Sequence, residues 1–241
     1  MTSKRRRERI EQRRRDAATT QRTLMIVGGA IVVLVVVVII VSAVSSKPPA
    51  ATTAAKSDSA VCALFPAYTG QETQPPALVI DKTKSYTAQI ITDKGEIDAN
   101  LFAADAPETV DNFMYLACNH FYDNLTFHRV IPGFVAQGGD PKGDGSGGPS
   151  YHIPDEFQLS TRKFDKAGLM SMALSGPNTG GSQFFITYDA TPNLDGQFTI
   201  FGEVSKGMDV LQSLTPRDPQ GATAGATPSK ITTITVGEAS Q

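Results

Sequence analysis

The chain has no tryptophan, two cysteines and three histidines among its 241 residues. No binding wall in it can rest on an indole. Two thiols are too few for a zinc site without help, and His120, His128 and His152 fall at no ligand spacing, so no metal is expected. Charge is missing altogether between Leu24 and Val44, over 21 positions. A nucleotide loop is also missing. The glycine-rich run Gly138 to Gly148 has no following Lys-Ser/Thr or helix, and it carries Asp140 and Asp144, which repel phosphate. It reads as a surface loop, and no cofactor is expected.

What charge there is lies unevenly. Residues 1–22 hold nine Lys/Arg and three Asp/Glu, a net of +6, whereas the remainder is −8. As a helix, the uncharged Leu24–Val44 stretch would reach about 31 Å, close to the hydrocarbon thickness of a bilayer. Its Val and Ile suit lipid better than an isolated helix in water. The basic residues stand on one side only, which predicts a cytosolic N-terminus and an extracytoplasmic remainder. Glu8, Glu11 and Asp16 interleave with the arginines, so they read as a topology signal and no nucleic-acid partner is expected. A cleaved signal peptide with its site near Ala43 is the competing reading, but its apolar core is usually only ~7–15 residues long. The organisation expected is a basic cytosolic tail over 1–22, a transmembrane helix over 23–45, a flexible linker over 46–80 and a folded domain over 81–241.

The linker reading rests on an Ala/Thr/Ser/Lys/Pro-rich composition that buries too little apolar surface to offset chain entropy. Val61 to Phe65 is an apolar island within it. Cys62 lies in that island and Cys118 in an apolar helical pattern. Two readings of these thiols stand: a disulfide in the oxidising compartment, worth roughly 3–4 kcal/mol, or two unrelated buried thiols.

From Ser85 the pattern becomes that of a domain. Tyr86–Thr92 and Glu96–Phe102 alternate around Asp93-Lys94-Gly95 as a hairpin. Asp105-Ala106-Pro107-Glu108 opens a helix with Val110, Phe113, Met114 and Ala117 on one face. Strands are expected at 127–131, 134–138, 168–174, 183–187, 197–204 and 230–236, and a short helix around Val210 to Leu214. Many short strands with Gly/Pro turns and two helices argue for a mainly β, closed antiparallel barrel.

Two dense blocks carry the chemistry. One is Phe127-His128-Arg129-Val130-Ile131-Pro132-Gly133-Phe134-Val135-Ala136-Gln137-Gly138-Gly139-Asp140. The other runs from Met172 through Ala173-Leu174-Ser175-Gly176-Pro177-Asn178-Thr179-Gly180-Gly181-Ser182-Gln183 to Phe184-Phe185-Ile186. Together they resemble the signature of the cyclophilins, the family of peptidyl-prolyl cis-trans isomerases, over roughly Ser85 to Gly237. The resemblance implies an eight-stranded barrel with a helix at each end. It implies Arg129 as the donor to the prolyl nitrogen, Gln137 as the group orienting the substrate carbonyl, and Phe134 with them at the catalytic centre. Phe134, Val135, Phe185 and Leu194 would line the proline slot, and Ala173, Leu174, Ser175 and Gln183 the peptide groove; Phe198, where the family pattern differs, is expected as a further apolar wall for the substrate. Proline-containing polypeptides are the partners the resemblance implies; separately, the membrane is expected as a partner through the single N-terminal span, and the protein is expected to be a monomer. Phe184 alternates away from Phe185 and is expected inside the barrel.

The chain departs from the family pattern in two places. Many members carry tryptophan where Asn193 stands and histidine where Phe198 stands, so weak binding of the cyclic peptide cyclosporin is expected. The same departures keep a second reading open, a Pro-peptide binding module or holdase without useful turnover.

Overall fold

A computed structural model describes residues 59–239. The basic tail, the apolar span with Ala43, and residues 46–58 lie outside the described residues. Among the described residues no helix is long and apolar enough to cross a membrane.

The first sheet elements are β1 (Tyr86–Thr92) and β2 (Gly95–Leu101), paired as an antiparallel hairpin through the two-residue turn Asp93-Lys94. Residues Tyr86, Ala88, Ile90 and Thr92 alternate inward, so one face of β1 is buried. Helix α2 (Pro107–Cys118) follows; α1 is the four-residue turn Ser59–Cys62 upstream. Proline at the first turn of α2 costs no hydrogen bond. The two N–H groups left over at Glu108 and Thr109 are taken by the two carboxylate oxygens of buried Glu156, at 3.0 and 2.8 Å. Val110, Phe113, Met114 and Leu116 of α2 are fully buried.

Six short strands and one long one complete the sheet: β3 (Thr126–Phe127), β4 (Arg129–Ile131), β5 (Val135–Gly138), β6 (Leu169–Met172), β7 (Phe184–Thr187), β8 (Ile200–Lys206) and β9 (Ser229–Glu238). Helix α3 (Met208–Gln212) lies between the last two. Their order is β3-β9-β1-β2-β8-β6-β7-β5-β4, with every pair antiparallel. The result is a mainly β, nearly closed barrel. Phe184 stands inside it, edge-on to Phe113, Tyr122 and Phe127.

Two expectations need correction. The count of eight strands becomes nine, because the run 127–131 breaks at His128. Phe127 pairs with β9 while Arg129 pairs with β5, so the two edges of the sheet meet at one residue. The Arg217 side chain binds the His128 carbonyl there, and its backbone exchanges hydrogen bonds with Val130. The linker also ends earlier than its composition suggests, since residues 59–80 lie on the domain. A Cys62–Cys118 disulfide joins this segment to α2. Val61 and Ile80 are buried, and Asp111 Oδ1 accepts the N–H groups of Val79 and Ile80. Tyr68 packs edge-on to Tyr115 and Phe121. Contacts of such long sequence separation leave no mark on local composition.

Candidate active site

The strand register sets the site. Arg129 of β4 is opposite Gln137 of β5, Gln137 is opposite Phe185 of β7, and Phe185 is opposite Ser171 of β6. One row across four strands therefore holds a cation, an amide and an aromatic ring. Ile131-Pro132-Gly133-Phe134 turns the chain between β4 and β5. Proline presets the first corner, and Gly133 takes a φ of 76°, which a side chain would resist. The Phe134 N–H closes the turn on the Ile131 carbonyl at 3.0 Å. The turn returns the Phe134 ring to Arg129, whose guanidinium carbon lies 5.8 Å from the ring centroid.

Nine residues enclose a notch of about 160 Å³: Arg129, Phe134, Val135, Gln137, Ala173, Leu174, Phe185, Leu194 and Phe198. Its floor is a small apolar cluster separate from the barrel interior, with Val135, Phe164, Leu169, Phe185 and Ile200 buried. Phe198 meets Phe185 edge-on at 5.5 Å. Phe164 stacks behind Phe185 at 6.0 Å. Phe164 comes from an irregular stretch with no periodic signal, and sequence reasoning missed it. Its N–H binds Asp195 at 2.7 Å and its carbonyl accepts from Thr191, which ties the short 3-10 turn Pro192–Leu194 to the notch floor. Asn193 on that turn is exposed and lines no wall.

Ser175 and Gln183 do not line the notch. They line a neighbouring cavity of about 480 Å³ that shares Gln137, Ala173 and Leu174 with it. Pro149, Tyr151, His152 and Thr179 also border this cavity and were not singled out in the sequence. Ala173 is fixed through its N–H to the Gln183 carbonyl. Gln137 donates from Nε2 to Gln183 Oε1 at 3.0 Å.

Among the described residues Arg129 makes no ion pair, and its guanidinium lies over the face of Phe134. His128 beside it is buried, with Nδ1 lacking a hydrogen-bond partner. Burial pushes the pKa of His128 down, Arg217 and Arg129 push the same way, and Asp140 opposes them. Among the described residues no group of His, Cys, Asp and Glu is arranged to hold a metal ion.

Residues 87–236 match the family described as cyclophilin type peptidyl-prolyl cis-trans isomerase/CLD. The chain belongs to the cyclophilin-type isomerase family. A peptidyl-prolyl cis-trans isomerase of Synechococcus elongatus is 51% identical over 125 residues, which are 51% of this chain and 84% of that protein. The peptidyl-prolyl cis-trans isomerase-like 2 of Rhizopus delemar is 50% identical over 136 residues, 55% of this chain but only 25% of its own length. This chain thus spans about a quarter of the longer relatives it matches. Among solved structures, a Cryptosporidium parvum cyclophilin type isomerase in the presence of the dipeptide Ala-Pro superposes with a TM-score of 0.58 at 36% identity, over 64% of this chain and 99% of that one. The cyclophilin match covers the whole sheet except the outer ends of β1 and β9.

Proposed function

We propose that this cyclophilin is a working prolyl isomerase that uses Arg129 to ease rotation of X-Pro bonds. A planar X-Pro amide crosses a barrier of about 20 kcal/mol when it twists. Twisting breaks conjugation and leaves a lone pair on a pyramidal prolyl nitrogen. A donor held toward that nitrogen favours the twisted state over the planar one, with no nucleophile and no proton transfer. A guanidinium offers forked N–H donors in a fixed plane. The observation that carries the proposal is the Arg129 guanidinium, unpaired by any acid among the described residues, facing an apolar notch of about 160 Å³. Phe134, Phe185, Leu194 and Phe198 grip the proline ring. Gln137 orients the carbonyl, and the larger cavity beside it takes the preceding residues of the chain.

The protein acts as a monomer, anchored in a bacterial membrane by residues 23–45 with the isomerase domain outside. It speeds proline-limited folding of secreted or envelope proteins. The one-sided basic cluster and the length of the uncharged stretch support this topology. The Cys62–Cys118 disulfide supports it too, because such bonds persist in oxidising compartments.

A proline-limited peptide assay on the full chain tests the activity, with Arg129→Ala as the control. Acceleration by wild type that the variant loses is the expected result. The second reading, a Pro-peptide binding module or holdase, draws on Asn193 and Phe198, where many family members carry tryptophan and histidine; Asn193 is exposed and Phe198 lines the notch. Binding of proline peptides with equal, negligible rates in both proteins would favour it.

A further inference from the structure

Gln137 faces both cavities, and the chain of hydrogen bonds that sets its orientation ends on a carboxylate that lines neither. Its Nε2 donates to Gln183 Oε1 at 3.0 Å. The Nε2 of Gln183 in turn donates to the carbonyls of Gly145 and Gly147, at 3.0 and 2.8 Å. An amide has two N–H donors and one oxygen. With both donors on carbonyls, a flipped Gln183 would set its oxygen against two others, so the amide holds one way round. The two carbonyls belong to a largely exposed loop with no regular structure.

The loop is wound around one buried group. Asp140 is 1% exposed. Its Oδ1 accepts the Lys142 N–H at 2.8 Å, and its Oδ2 accepts those of Asp144 at 3.0 Å and Gly145 at 2.5 Å. Charge-assisted bonds to backbone N–H groups are the strong kind. The fit is close enough that a Cβ on Gly147 would collide with Asp140 Oδ1 and crowd the Lys142 nitrogen.

We propose that Asp140 is a positioning residue for Gln137, acting through the 140–148 loop and Gln183. The proposal rests on the isomerase reading of the notch. Asp140 lines neither cavity and touches no substrate; it fixes where Gly145 and Gly147 present their carbonyls, and so which way the Gln137 amide points. An ångström of misplacement in a reacting geometry can cost about a hundredfold in rate.

The test is a double-mutant cycle on the full chain. Asp140→Ala and Gly147→Ala are each assayed alone and in a Gln137→Ala background, with kcat, KM and the melting midpoint recorded. Each single variant is expected to lower kcat/KM about tenfold, mainly through kcat, and by less than about twofold once Gln137 is gone, because members of one hydrogen-bond network are not additive. Equal falls in both backgrounds, or no fall in either, would overturn the proposal. Should Asp140→Ala melt far below wild type, Gly147→Ala carries the test, since it removes no buried atom. Wild type that fails to accelerate isomerisation would instead overturn the isomerase reading, and this proposal with it.

Discussion

The Arg129 guanidinium and the Phe134 ring are 5.8 Å apart although a tight turn separates them in the chain. Strand β4 ends at Ile131, Pro132-Gly133 reverses the direction, and the ring comes back over the strand it has just left. A cation over an aromatic face gains about 0.5–1 kcal/mol at an exposed site. That gain is modest, but it holds the guanidinium over the notch in place of the salt bridge that a surface arginine usually makes.

Arg129→Ala should lower kcat/KM by about a hundredfold or more, the range seen when one aimed donor is removed from a polar transition state. The melting midpoint should barely move, since the side chain is half-exposed. Arg129→Lys should recover little, because a point charge on a flexible stem does not reproduce a planar fork. Peptide kinetics and thermal melts on the same samples check both statements.

Gln137→Ala should cost about tenfold, less than Arg129→Ala, because an orienting amide does not face the altered nitrogen. A larger loss than for Arg129→Ala would exchange the two roles.

Replacing both cysteines, as Cys62→Ser with Cys118→Ser, releases a cross-link across 56 positions. Loop entropy values such a link at about 4 kcal/mol. At about 2–4 °C per kcal/mol for a domain of this size, the melting midpoint should fall by about 10 °C. Neither cysteine lines the notch, so kcat/KM at 25 °C should hold. An unchanged midpoint would show that the bond constrains little.

His128 gives a pH signature. Burial, first of all, holds its folded pKa below the ordinary imidazole value of about 6.5. Below that value the unfolded chain takes up a proton that the native imidazole resists, so stability is whole above about pH 6.5 and declines as pH falls through it. Melts between pH 5 and 8 should show this slope, and His128→Gln should flatten it. Parallel curves for the two proteins would remove His128 from the account.

Protease added to intact cells should digest the isomerase domain and spare residues 1–22. Full protection of the domain would contradict the proposed orientation.

The sequence exposed those parts of the fold whose cause is local. The hairpin from Tyr86, the helix opened by Pro107, the short helix around Val210 and the last strand all follow from alternation, helical spacing or a turn residue, and they lie within a few positions of where those signals put them. The break at His128 does not, because it depends on Arg217 reaching the His128 carbonyl from 89 positions away. The docking of residues 59–80 does not either, because Asp111 and Cys118 supply its partners. At the site, the two dense blocks held all the residues of strands β4, β5 and β7 that meet in the notch. Phe164 and the hold of the Asp140 carboxylate on the loop backbone stayed hidden. One acts from an irregular stretch, and the other acts on backbone groups that no motif records.

The Cys62–Cys118 bond also decides where a mechanical load would enter. A pull on the chain upstream of residue 62 is handed across sulfur to the end of α2, the helix with the most buried face in the domain. The stretch from residue 63 to strand β1 is bypassed, so tension applied from upstream would meet the centre of the protein before it could unzip the rim of the sheet.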